Sequence, residues 1–183
     1  ALLSQLSGWW NSVAAGDFDG DGRLDLVAGN WGRNSKYQAH RSQPLRIHHG
    51  NLAEADNVDV VEAHFDLALR RWVPERQLDV LAQSLSFLRG RFPTHRSFST
   101  ASIEEVLGDT LKAAEVVSAN WLETSVLLNR GEAFEVRPLP DEAQVSPVFG
   151  LGVGDFDGDG AEDLFLAQNF FGAQPETARY DAG

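Results

Sequence analysis

The sequence predicts a mainly β fold with a helical insertion. Two observations indicate the β part: short apolar runs end at turn residues, and an acidic nine-residue stretch occurs twice between such runs. A third observation indicates the insertion, because apolar residues between positions 74 and 108 recur at helical spacing. The 183 residues, 43% of them hydrophobic, are enough for one domain with its own core.

The acidic stretch runs from Asp17 to Asp25 in one copy and from Asp155 to Asp163 in the other. Both copies have aspartate at positions 1, 3, 5 and 9 and glycine at positions 4 and 6. Glycine supplies the positive φ angles that a tight turn requires. Four carboxylates this close need a cation to neutralise them, and the alternate spacing suits a hard cation with six to eight oxygen ligands.

We therefore predict one calcium ion in each loop, with an ion-free acidic turn as the alternative. Magnesium is less suitable because it demands near-ideal octahedral geometry and keeps several waters. The predicted ligands are the side chains at positions 1, 3, 5 and 9 and the backbone carbonyl at position 7. They are Asp17, Asp19, Asp21, Asp25 and the carbonyl of Arg23 in the first loop, and Asp155, Asp157, Asp159, Asp163 and the carbonyl of Ala161 in the second.

The residues around the loops argue against an EF-hand, which has a glutamate at position 12 and continues into a helix. Position 12 is Ala28 in the first copy and Leu166 in the second. Short apolar runs follow both loops and end at turn residues, as buried strands do. We expect each loop to join two strands of a hairpin, with residues 13–16 and 151–154 as the leading strands.

An acidic loop of this pattern between two short strands resembles the FG-GAP/VCBS repeat, which builds the β-propeller of integrin α-chains and of many bacterial surface proteins. The resemblance covers both loops, including Phe18 and Phe156 at position 2, and extends to residues 148–150. It implies a secreted or cell-surface protein that binds a protein or a glycan. The helical interruption and the segment 139–148 also resemble the bacterial relatives of cartilage acidic protein.

A third, degraded copy of the stretch lies at residues 50–60. Asn51 and Asp59 occupy positions 1 and 9, but Ala53 and Ala55 replace two carboxylates. We expect its hairpin to persist with weak calcium binding or none. Three copies correspond to a partial β-propeller of about two and a half blades, since a blade takes roughly 40 to 50 residues. The remaining blades would come from a longer chain or from self-association.

The predicted helical insertion spans residues 74–108. Pro74 suits a helix start, apolar residues follow at helical spacing from Leu78 to Leu88, and Gly90 suits the helix end. A second helix begins at the capping-box spacing of Ser102 and Glu105.

Strands are expected again after the insertion. Residues 126–128 and 134–137, joined by a turn at 129–132, are predicted to form the outer hairpin of a blade. The last repeat, from Ser146 onward, is predicted to contribute two strands. Residues 1–183 as a whole are thus predicted to be a single propeller portion.

The composition excludes several function classes. A net charge of -12 argues against nucleic acid as a partner, because phosphate binding needs a basic face. The absence of cysteine excludes disulfides and thiolate metal sites. No apolar run is long enough to span a bilayer.

A binding role is expected rather than catalysis, because neither a G-x-S-x-G nor an H-E-x-x-H pattern occurs. The alternative is a propeller-based carbohydrate-active enzyme, such as a polysaccharide lyase or hydrolase, with catalytic groups assembled from scattered residues. Extracellular modules often bind calcium at about 0.1 to 1 mM. That range favours an extracellular, cell-surface or periplasmic location.

Overall fold

The computed structural model describes residues 3–35, 37, 40–53, 57–172 and 180–181. Of these residues, 34% lie in strands and 20% in helices, so the predicted mainly β fold is confirmed. The chain divides into two compact units, one of Ala1–Gln38 with Trp121–Gly183 and one of Ala39–Asn120. The β-propeller and its number of blades stay predictions.

The strands, in chain order, are β1 (Ser12–Gly16), β2 (Asp25–Gly29), β3 (Leu45–Gly50), β4 (Asp59–Asp66), β5 (Arg71–Pro74), β6 (Glu115–Ala119), β7 (Ser125–Asn129), β8 (Phe134–Pro138), β9 (Gly150–Gly154), β10 (Asp163–Ala167), β11 (Asn169–Phe170) and β12 (Tyr180–Asp181). The helices are α1 (Leu78–Ser84), α2 (Leu88–Arg91), α3 (His95–Phe98) and α4 (Ile103–Leu107). Short 3-10 helices lie at Leu3–Gln5, Gly108–Ala113 and Asp141–Gln144.

A four-stranded antiparallel sheet in the first unit holds the first acidic loop. Its strand order is β1-β2-β7-β8, with Gly16 opposite Asp25 at the loop end of the first hairpin. The predicted hairpins at residues 13–28 and 126–137 are both confirmed. Strand β2 pairs with β7 at Leu26 and Leu127, so the second hairpin extends the sheet to which the first belongs.

The second acidic loop lies in a separate two-stranded sheet of the same unit. Strands β9 and β10 pair with Gly154 opposite Asp163, the same register at the loop as in the first hairpin. This predicted hairpin is confirmed as well. The last repeat also contains the short pair β11 and β12, which the sequence did not predict.

A buried glutamine ties the segment between β8 and β9 to the sheet. The side chain of Gln144 is 2% exposed and donates from Nε2 to the carbonyls of Thr124 (2.8 Å) and Leu139 (3.0 Å). Its Oε1 accepts the backbone N–H of Thr124 at 3.0 Å. Because these buried polar groups satisfy one another, the connection that leads to β9 is fixed from within the unit.

The second unit is a four-stranded antiparallel sheet, order β5-β4-β3-β6, with the four helices. The hairpin of the degraded copy, β3 with β4, is confirmed and pairs with β5 and β6. Buried apolar side chains from β4 and the helices form one core. They include Val61, Leu78, Leu81, Leu85, Leu88, Ile103, Val106 and Leu107.

The prediction of one helix from Pro74 to Gly90 is wrong. Pro74 ends strand β5, opposite Ala63, because the preceding Trp72 and Val73 pair with β4. The helical residues form α1 and α2, separated where Leu85 leaves the helical region with φ -100° and ψ 71°. Leu85 is nevertheless buried, so the spacing identified the core residues although the helix is broken.

The predicted start of the next helix is confirmed. The Ser102 side chain accepts the N–H of Glu105, and the Glu105 carboxylate accepts the N–H of Ser102 at 2.7 Å. Within the described part of the chain, none of the helices has the length and apolar character that a membrane crossing requires.

Candidate metal centre

The first acidic loop connects β1 to β2 and folds around the side chain of Asp17. The two carboxylate oxygens of Asp17 accept hydrogen bonds from the backbone N–H groups of Asp21 (3.0 Å) and Gly22 (2.9 Å). Gly20 and Gly22 have φ angles of 71° and 82°, a region that a β-carbon disfavours. The two glycines therefore allow the chain to turn back over its first aspartate.

The second loop, between β9 and β10, repeats this arrangement. Asp155 Oδ1 accepts the N–H groups of Gly158 (2.7 Å) and Asp159 (3.1 Å), and its Oδ2 accepts that of Gly160 (3.0 Å). The φ angles of Gly158 and Gly160 are 81° and 89°. Two distant stretches of sequence thus form the same turn.

Each loop brings three of its four aspartates together. The groups are Asp17, Asp19 and Asp21 in the first loop and Asp155, Asp157 and Asp159 in the second. Each residue of a group offers one carboxylate oxygen, and these three oxygens lie within 4.8 Å of one another. Three like charges at this distance repel one another, and a divalent cation among them would remove the repulsion. Because all the donors are hard oxygen atoms, the residues present fit a calcium ion.

The aspartates at position 9 close the hairpins. Asp25 is fully buried, and its Oδ2 accepts the N–H of Phe18 at 3.1 Å. Asp163 Oδ2 accepts the N–H of Phe156 at 2.9 Å. Neither belongs to its loop's group of three. The ligand roles of all ten residues stay predictions, and those of Asp25, Asp163 and the backbone carbonyls of Arg23 and Ala161 rest on the sequence pattern alone.

The first acidic loop is thus a tight turn within a short antiparallel hairpin, β1 with β2. Residues 9–41 match the family model of the FG-GAP repeat. The match contains β1, the first loop and β2, so the expected resemblance is confirmed there. The second loop lies outside the matched residues, and its likeness to the FG-GAP loop rests on the same sequence positions and hydrogen bonds. No curated protein and no solved structure gave a significant match to the chain.

The degraded copy retains the hairpin-closing hydrogen bonds of the two acidic loops. Asp59 Oδ2 accepts the N–H groups of Leu52 (3.1 Å) and Ala53 (2.9 Å), the same join between positions 9 and 2. The carboxylate of position 3 is missing at Ala53, and Ala55 at position 5 lies outside the described residues. The retained aspartate therefore has a structural task that needs no ion.

The first acidic loop also has a basic partner that the sequence did not reveal. Arg130 Nη1 lies 2.5 Å from Asp19 Oδ2 and 3.5 Å from Asp21 Oδ2. The hydrogen bond from Arg130 holds the pKa of Asp19 below its ordinary value. Arg23, within the loop, pairs with Asp21 as well. The only sequence signal for Arg130 is its place in the predicted turn at 129–132, since the contact depends on how β2 pairs with β7.

Proposed function

We propose that this chain is a calcium-binding β-propeller module of a secreted or cell-surface protein, with one calcium ion in each acidic loop. The observation that carries the proposal is the pair of aspartate groups at the tips of two hairpins, each with oxygen atoms within 4.8 Å of one another. The FG-GAP repeat over residues 9–41 supports it. FG-GAP repeats are typical of extracellular or cell-surface proteins, which supports an extracellular, surface or periplasmic location.

The proposed calcium has a structural role. Each ion would connect positions 1, 3 and 5 of a loop whose like charges otherwise repel, so binding and folding are linked. An ion that binds only the folded chain stabilises it by about 2.7 kcal/mol at a concentration 100 times its Kd. Extracellular modules often bind calcium with a Kd of about 0.1 to 1 mM, and at a concentration equal to its Kd an ion stabilises the fold by about 0.4 kcal/mol.

The proposed activity of the whole protein is recognition of a protein or a glycan, with further propeller blades from a longer chain or from other copies. We propose a binding role rather than a catalytic one. Depolymerisation of an acidic polysaccharide by the purified chain would contradict this part of the proposal and support the carbohydrate-active alternative. Retention of the chain on a glycan or protein array, without formation of a product, would support the proposed binding role.

Thermal melting with and without calcium tests the proposal. The melting temperature of the wild-type chain should rise with added calcium and fall again with excess chelator. Asp19→Ala and Asp157→Ala should each reduce the calcium-dependent rise. Asp141→Ala removes one carboxylate from an exposed position outside both loops and should leave the rise unchanged. A melting temperature indifferent to calcium and chelator in the wild-type chain would contradict the proposal.

A further inference from the structure

The two acidic loops differ in their basic neighbours. In the first loop, Arg130 contacts Asp19 and Asp21, two of the three grouped carboxylates. In the second loop, the grouped aspartates are exposed and accept hydrogen bonds from backbone N–H groups of their own turn. Among the described residues, no lysine or arginine forms an ion pair with that second group. The loops share a sequence pattern but have different electrostatic surroundings.

Hydrogen bonds of the neighbouring residue fix the place of Arg130. Asn129 donates its backbone N–H to Asp25 Oδ1 (2.6 Å) and its side-chain amide to the carbonyl of Leu24 (3.1 Å). The carbonyl of Asn129 accepts from Arg23 Nε at 2.8 Å. The turn between β7 and β8 is thus attached to the first loop at three points, all of them next to Arg130.

A third carboxylate contacts the Arg130 guanidinium at Nε. Its Nε lies 3.0 Å from Glu135 Oε2 on β8. Glu135 also pairs with Arg137. Arg130 therefore lies between an acidic side chain of its own hairpin and the carboxylates of the first loop. A guanidinium in this position and a divalent cation would compete for the negative charge of the Asp19 and Asp21 carboxylates.

We infer that Arg130 is a built-in counter-cation of the first loop, which keeps that loop folded at low calcium and lowers its calcium affinity below that of the second loop. The inference rests on the proposed function. It predicts two classes of calcium site in one chain: a second loop that fills first and a first loop that fills at higher calcium concentration. On calcium binding, the guanidinium would stay with Glu135 and release Asp19 and Asp21.

Calorimetric calcium titration of chains with one intact loop tests the inference. Asp157→Asn leaves the first loop intact, and Asp19→Asn leaves the second. Adding Arg130→Gln to the Asp157→Asn chain should tighten calcium binding about fivefold, the scale of one exposed ion pair. The same change in the Asp19→Asn chain should have no effect. Without calcium, Arg130→Gln should lower the melting temperature, and calcium should restore it.

Two further variants distinguish a specific effect of Arg130 on calcium binding from two general effects. These are the loss of a nearby positive charge and the disruption of the fold. Arg137→Gln removes a positive charge that pairs with Glu135 and should leave both affinities unchanged. Arg130→Lys keeps a cation at the loop and should bind calcium more weakly than Arg130→Gln. If Arg130→Gln leaves calcium binding by the first loop unchanged or weakens it, the inference about Arg130 is overturned and the proposed function is not. An absence of calcium binding in the wild-type chain and every variant would overturn the proposed function together with it.

Discussion

The side-chain carboxylate of Glu162 in the second acidic loop accepts a hydrogen bond from the backbone N–H of Asp17, the first residue of the first loop. Glu162 occupies position 8 of the second loop. Its carboxylate lies against the backbone of Gly16, where an added β-carbon would meet it. The two loops are therefore in direct contact through the hydrogen bond between Glu162 and Asp17, and Gly16 at the end of β1 leaves room for the Glu162 carboxylate.

Removing the Glu162 carboxylate should weaken the first unit. We expect Glu162→Ala to lower the free energy of unfolding by about 1 kcal/mol, the usual net value of one hydrogen bond. Urea denaturation measures the change. Glu142→Ala, at an exposed position of the same unit, is the matched control and should change the free energy little. Equal losses in both variants would show that the contact between the loops contributes nothing.

A side chain at Gly16 should destabilise the first unit, because it would clash with the residues that pack against this glycine. A β-carbon there would meet Glu162 Oε2, and it would lie 2.9 Å from Val153 Cγ1. We expect Gly16→Ala to lower the free energy of unfolding by about 1 to 3 kcal/mol, the typical cost of overpacking. Gly90→Ala is the control, because a β-carbon there meets open space. The double variant Gly16→Ala with Glu162→Ala should lose less than the sum of the two single losses.

The acidic loops could be predicted from sequence because their geometry is local. The alternate aspartates and the two glycines determine where the carboxylates point, whatever the rest of the chain does. The sequence does not determine the role of the aspartate at position 9, because an aspartate that closes a hairpin and one that binds an ion occupy the same position of the pattern. Asp59 resolves the ambiguity in part, because it closes its hairpin where two other carboxylates of the copy are missing.

Contacts between distant parts of the chain could not be predicted in this way. Arg130 reaches Asp19 only because β7 pairs with β2, and no periodicity shows which strands become neighbours. The break between α1 and α2 has a similar origin. Burial of Leu85 and Leu88 was visible as spacing, whereas the pairing that makes Pro74 the end of a strand was not.

His48 should make the second unit sensitive to acid. It is 3% exposed on β3, opposite Val61 and Val116, and burial lowers its pKa below the ordinary 6.5. Arg46 on the same strand lowers the pKa further, while Glu104 of α4 opposes the shift. The folded chain therefore keeps His48 neutral where the unfolded chain takes up a proton.

This difference in proton uptake determines how the free energy of unfolding changes with pH. His48 has no effect on the pH dependence well above pH 6.5, and it destabilises the folded state progressively as the pH falls from 6.5 to the lowered folded pKa. We expect His48→Leu to reduce the loss of stability between pH 7 and pH 5, measured by urea denaturation at each pH. Parallel pH profiles of the two chains would contradict this prediction.

The capping box at α4 gives a prediction that is independent of calcium. Ser102→Ala removes the side-chain oxygen that accepts the N–H of Glu105 at 3.2 Å. Losing an N-cap of this kind costs about 1 kcal/mol, so the free energy of unfolding of the second unit should fall by that amount. Ser102→Thr keeps the oxygen and should recover most of the loss. If both changes lower the free energy of unfolding equally, the packing of the buried Ser102 and not its hydrogen bond is the source of the loss.

The number of calcium ions bound to each chain at equilibrium is the sharpest test of the two proposed calcium sites. Equilibrium dialysis against radioactive calcium, at concentrations up to several millimolar, gives this number without reference to stability or activity. We expect two ions for the wild-type chain, one for Asp19→Asn or Asp157→Asn, and none when both changes are combined. A wild-type chain that binds no calcium, or a double variant that still binds two ions, would contradict the two proposed sites.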